Sequence, residues 1–118
     1  MARYKFCSTP LGRLRVRVAE QFWSRAVGLL AGKPLEETEG LLISRCSSIH
    51  TIGMRYPIDV VFMDRRGRVL RVCAAVRAAR MRFARGAWAV LELRAGVATE
   101  HGLQPGVRLE DLAAEPCV

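Results

Sequence analysis

Residues 58–63, IDVVFM, form a strand-length run that is apolar on both of its alternating faces except at Asp59. A strand with one wet face alternates polar and apolar side chains, so this run predicts a central strand covered on both sides. Pro57 opens it, and Asp64-Arg65-Arg66-Gly67 turns it into a second strand over 69–76, a predicted hairpin. A carboxylate between Ile58 and Val60 needs partners, because burying it alone is costly; Arg55, His50 or a row of backbone amides would serve.

The remaining pattern builds around that strand. Residues 13–18 alternate Arg13, Arg15 and Arg17 with Leu14, Val16 and Val18, the period of two of a strand with one solvated face, and Gly12 marks a turn before it. Over 21–31 the period changes to helical, with Phe22, Ala26, Leu29 and Leu30 on one side and Gly32-Lys33-Pro34 as the stop. Short apolar strands follow at 41–43 and 49–54; on the latter His50, Ile52 and Met54 share one face and Thr51 the other. Residues 76–86 fit either a helix or a loose basic connection. A strand at 88–93, a short helix over 96–101 closed by Gly102, and a Gln104-Pro105-Gly106 turn into an edge strand at 107–109 complete the chain. Six to seven short strands with one or two helices predict a β-rich α+β fold, a curled antiparallel sheet or small barrel, as one domain over 1–118.

Composition sets the boundaries of function. With 118 residues, 51% of them hydrophobic, the chain can bury one core. No apolar run reaches the roughly 18 residues of a membrane span or the 7 to 15 of a secretion signal, which predicts a cytoplasmic protein. Cys7, Cys46, Cys73 and Cys117 are scattered, without a CxxC pair; they read as small buried hydrophobes, with Cys117 exposed in the tail. Net charge is +8, and basic residues divide into 17 Arg and 2 Lys. Eight of the arginines, Arg65, Arg66, Arg68, Arg71, Arg77, Arg80, Arg82 and Arg85, follow one another with no acid between them. That stretch is a solvated face or an attractor for nucleic acid, an anionic membrane surface or an acidic protein.

Catalytic motifs are sparse. Neither GxGxxG nor GxxxxGK[ST] occurs, no serine sits in a GxSxG elbow, and no cofactor is called for. Cys46 and His50 would share a metal on a helix, but four strand residues span roughly 13 Å, too far for one zinc ion, so no metal site is predicted. Arg25, on the apolar helix, and Glu92, in the strand ValLeuGluLeu, are two more isolated charges that could pair. Arg25, His50, Met54, Asp59 and Glu92 therefore form the candidate ligand-binding cluster. Trp23 and Trp88 read as core.

The ordered blocks FWSRAVGLL at 22–30, GLLI at 40–43, IHTIGM and PIDVVFMD through 64, GRV at 67–69, and VLEL followed by Gly96 resemble the family known as domain of unknown function 192, over about 13–110. The resemblance implies a small β-rich domain of bacteria and archaea with no established activity, cofactor or catalytic residue. Many members carry PheTrpMetLysAsn where this chain has SerIleHisThrIleGlyMet, and members are often preceded by a secretion signal, which is not expected here. The first functional expectation is a non-catalytic binding or accessory module for a small ligand or protein partner. The alternatives are a hydrolase-like enzyme using His50 and Asp59 as base and orienter, or a binder of nucleic acid or an anionic partner through the Arg65 to Arg85 face.

Overall fold

The structure is a computed structural model that describes residues 3–19 and 34–114. Eight strands occur there: β1 (Arg3–Thr9), β2 (Gly12–Ala19), β3 (Glu39–Ser44), β4 (Ser48–His50), β5 (Ile58–Met63), β6 (Val69–Val76), β7 (Met81–Phe83) and β8 (Ala89–Arg94). One short helix, α1 (Val97–Glu100), and a 3-10 turn at Glu110–Leu112 complete the described elements. The expected helix over 21–31, with Arg25 and Trp23, lies outside the described residues, as does Cys117.

Six strands form one sheet in the order β1-β2-β3-β8-β5-β6, and β4 and β7 form a separate two-stranded ribbon. The sheet is mixed and not closed, which corrects the antiparallel or barrel expectation: β2 and β3 run parallel, with Val16 beside Gly40 and Val18 beside Leu42. A parallel pair needs a crossover of a dozen or more residues, and the chain between Ala19 and Glu39 is long enough for one.

The apolar run at 58–63 does become a central strand. Every residue of β5 is buried, flanked by β8 and β6. Side chains on one face (Leu42, Val61, Met63, Leu91 and Leu93) pack with Cys7, Leu14, Val16, α1 and the C-terminal Leu103, Leu109 and Leu112. On the other face Leu41, Ile43, Val60, Phe62 and Val90 pack against Ile49, Cys46 and Ala84, so the ribbon lies over this side.

The β5–β6 hairpin closes through Asp64, whose Oδ1 accepts the N–H groups of Arg66 (2.8 Å) and Arg68 (3.0 Å). Gly67 takes φ +81°, and a Cβ there would stand 2.2 Å from the Leu109 carbonyl oxygen, so the C-terminal segment docks backbone against backbone. That segment contributes an isolated bridge between Arg68 and Arg108 rather than the expected edge strand at 107–109. One edge of the sheet is β6; the other is β1, unforeseen in the sequence, which pairs with β2 from Arg3–Val18 to Thr9–Gly12.

The expected strand at 49–54 ends at His50. Met54 N–H donates to the Thr51 carbonyl, and Gly53 takes φ +84°, which makes 51–54 a type II turn with Ile52 at its tip. Residues 76–86 resolve into the end of β6, a turn, and β7.

Candidate functional site

The polar groups of the Cys46 to Asp64 segment separate by the face of the fold they occupy. Asp59 points to the α1 side of β5 and is 1% exposed. Its Oδ2 accepts the N–H groups of Gly96 and Ala98, both at 3.0 Å, and Oδ1 accepts that of Ala75 at 2.8 Å. Ala75 is available because β6 bulges there: Ile58 pairs with Val76 and Val60 with Cys73, leaving two β6 residues opposite Asp59, with Ala75 at φ +48°. One carboxylate thus ties a sheet edge to the start of α1. Of the partners weighed for it, the row of backbone amides is the one present.

Thr51 plays the same part on the other face. It is fully buried; its hydroxyl donates to the Arg77 carbonyl at 2.5 Å and accepts the Arg80 N–H at 2.8 Å. Its backbone N–H and carbonyl bond Arg80 and Ala79. The turn carrying Ile52 and the connection from β6 to β7 are therefore fastened together at one side chain.

Around that fastening, burial alternates along the ribbon: Ile49 and Thr51 are inward, Ser48, His50 and Ile52 outward. In register, Ser48 lies opposite Phe83 and His50 opposite Met81, so these four share the outer face. Ile52, Met81 and Phe83 are 65%, 70% and 64% exposed, unusual for large apolar side chains that fall together. Arginines surround them. Arg71 donates to the Phe83 carbonyl at 2.6 Å and Arg82 to that of Met81 at 2.8 Å, while Arg77, Arg80 and Arg85, within four residues of Met81 in sequence, are exposed.

The expected cluster of Arg25, His50, Met54, Asp59 and Glu92 is therefore dispersed among the residues described. His50 faces solvent on the ribbon, Met54 is half-buried against the ribbon-side core, and Asp59 is sealed on the opposite face; Arg25 lies outside the described residues. The acid–base couple fails on geometry, because both Asp59 oxygens bond backbone amides. Glu92 is buried on β8 between Leu41 and Val60. It does meet one group the sequence reading passed over: burial, and then the Glu92 charge, push the Tyr56 phenol above its ordinary pKa. Tyr56 also lines an open cleft of about 510 Å³ with Leu35, Glu36 and Arg94.

Of the eight-arginine stretch, all but the half-buried Arg82 are exposed; Arg65, Arg66 and Arg68 belong to the β5–β6 turn, with Arg65 over the Trp88 ring, while Arg71 and Arg82 bond carbonyls of β7. Cys7, Cys46 and Cys73 are buried, as expected, and none of the three is in a disulfide; Cys46 Sγ donates to the Ser48 carbonyl at 2.9 Å. No group of three or more metal-ligating side chains occurs among the described residues, and no described helix is long and apolar enough to cross a membrane.

Met81 and Phe83 are absent from the sequence-predicted site because residues 76–86 fit a helix and a loose connection equally well. The signal available was two large apolar residues alternating with arginines, MRFAR.

Comparison with known proteins places this geometry in a family. Residues 7–110 match the sequence profile of DUF192, described as "Uncharacterized ACR". Among solved structures, a protein of unknown function from Novosphingobium aromaticivorans DSM 12444 superposes with a TM-score of 0.77 at 24% identity, over 92% of this chain and 84% of that one. A protein from Sinorhizobium meliloti 1021 described as a "putative transcription regulator" gives 0.77 at 23% identity, over 93% and 96%. At such identities the likeness is one of fold. No curated protein matches the chain.

Proposed function

The chain belongs to the uncharacterised DUF192 family, and we propose that it serves as a non-catalytic binding module that docks an acidic protein partner on the outer face of the β4–β7 ribbon. The observation that carries this is the joint exposure of Ile52, Met81 and Phe83 beside His50. An apolar centre with a polar, charged rim is the usual anatomy of a protein interface, and here the rim is Arg71, Arg77, Arg80 and Arg85. Guanidinium groups without carboxylates among them favour a partner that supplies the carboxylates. His50 contributes an imidazole that can donate to or accept from that partner. Asp59, sealed by its three amides, holds the fold rather than a ligand.

The test is site-specific crosslinking. A photoreactive benzoyl-phenylalanine in place of Met81 should give one dominant protein adduct in the producing cell, lost when Phe83→Ser is added. The captured protein, purified, should bind the chain with an affinity that falls as salt rises. The same probe at exposed Glu100, on the far face, should not give that adduct. Equal adducts from both positions, or none from position 81, would overturn the reading.

A further inference from the structure

The β1–β2 hairpin carries a second exposed surface that partner docking on the ribbon does not use. Cys7, Leu14 and Val16 point into the core, so Tyr4 and Phe6 of β1 and Arg13, Arg15 and Arg17 of β2 share the opposite face, where Tyr4 is opposite Arg17 and Phe6 opposite Arg15. Tyr4 and Phe6 are 43% and 56% exposed. The arginines reach diagonally: the Arg13 guanidinium lies 4.1 Å from the Phe6 ring centroid and that of Arg15 lies 4.0 Å from the Tyr4 centroid.

Among the described residues no carboxylate pairs with Arg13, Arg15 or Arg17. Glu39, the register neighbour of Arg15, instead turns its carboxylate to the Glu36 N–H at 3.1 Å. The hairpin thus presents two ring–guanidinium stacks whose rings, two residues apart on a strand, are separated by about 7 Å, with the positive charge of both stacks and of Arg17 open to solvent.

We infer that this face binds single-stranded nucleic acid. Unpaired bases stack on aromatic rings or on guanidinium planes, and both are offered here in alternation; the guanidinium edges left over by stacking point donors at phosphate oxygens. Paired bases hide their faces inside the duplex, so a flat stacking platform selects single strands. An acidic peptide could use the charges but would gain little from planar stacks, which is what separates it from this proposal.

The full-length chain is titrated against a fluorescein-labelled oligothymidylate of about 16 nucleotides, and against a duplex of equal length, by fluorescence anisotropy. The single strand is expected to bind more tightly, and weakening on going from about 50 to about 200 mM salt is expected. Tyr4→Leu and Phe6→Leu keep apolar bulk and remove the π-faces; each is expected to weaken binding about tenfold with an unchanged melting temperature. Arg13→Gln with Arg15→Gln is expected to lower the salt slope by about 1.4. Met81→Ser with Phe83→Ser, on the ribbon, is expected to leave the oligonucleotide affinity as it was, so this test and the crosslinking test fail independently. Absence of binding, equal binding of duplex, or affinity indifferent to the two leucine variants would each overturn the inference.

Discussion

Asp59 in the central sheet and His50 on the ribbon lie nine residues apart in one segment, and the two regions treat their polar groups in opposite ways. At Asp59 the chain buries a carboxylate under α1 and surrounds it with the N–H groups of Ala75, Gly96 and Ala98. On the ribbon it leaves an imidazole and three large apolar side chains in solvent. Around β5 and β8 the sheet is covered on both faces, so anything polar there must be satisfied by the protein itself. The ribbon is covered on one face only, and its outer face is free to be satisfied by something else. Stability should therefore reside around Asp59 and recognition of the protein partner on the ribbon.

Asp59→Ala should break the comparison most forcefully if it is wrong. It leaves three backbone N–H groups in a dry site, each costing about 1 to 3 kcal/mol, so urea unfolding should show a loss of about 4 kcal/mol or more. Asp59→Asn, which keeps one carbonyl oxygen but turns an amino group toward the remaining donors, should fall in between. A near-neutral Asp59→Ala would mean that water reaches this carboxylate, and the sheet would no longer be the closed region.

Thr51→Val probes the boundary between the two regions. It conserves shape and removes the hydroxyl shared by the Arg77 carbonyl and the Arg80 N–H, for an expected loss of about 2 kcal/mol. Hydrogen exchange at 77–80 should quicken more than at β5, because the fastening lost is local.

Cys7 offers a smaller, pH-dependent test of the closed side. Burial, and then the Asp111 charge, push its thiol up from 9.0 to about 12. The unfolded chain ionises first, so the contribution of the neutral thiol is fully present below pH 9.0 and is lost as pH rises toward about 12. Cys7→Ala should remove this part of the alkaline decline while changing neutral-pH stability by about 1 kcal/mol. Native Cys7 should also resist thiol reagents that label it once unfolded.

How far each region could be read beforehand follows from the same contrast. β5, its hairpin through Asp64 to Gly67, β8 and the helix after Gly96 were legible because local pattern and local burial agree in them. β1 was not: its outward residues Tyr4 and Phe6 are aromatic and its inward positions include Lys5, so the period of two is inverted. Parallel pairing of β2 with β3 depends on a crossover, which leaves no mark in either strand. The amides that hold Asp59 belong to Ala75, Gly96 and Ala98, backbone groups that any residue but proline would supply, so the need for partners was visible and their identity was not. His50 was predicted to have apolar neighbours and has them, in Ile52 and Met81, but on the outside.

The smallest expected effect on stability is the sharpest test of the ribbon. Met81→Ser and Phe83→Ser each remove a large apolar side chain, a change that costs about 2 to 5 kcal/mol in a core. Here both side chains stand mostly in water, so each variant should unfold within about 0.5 kcal/mol of the parent, and His50→Ala likewise. Docking of the acidic partner should nevertheless fall by about tenfold or more with Phe83→Ser, as befits an aromatic anchor at the centre of an interface. A large loss of stability would show that the ring packs onto the sheet in solution. Unchanged stability with unchanged docking would move the recognition surface off the ribbon, leaving the sheet's closed interior without the open counterpart on which the comparison depends.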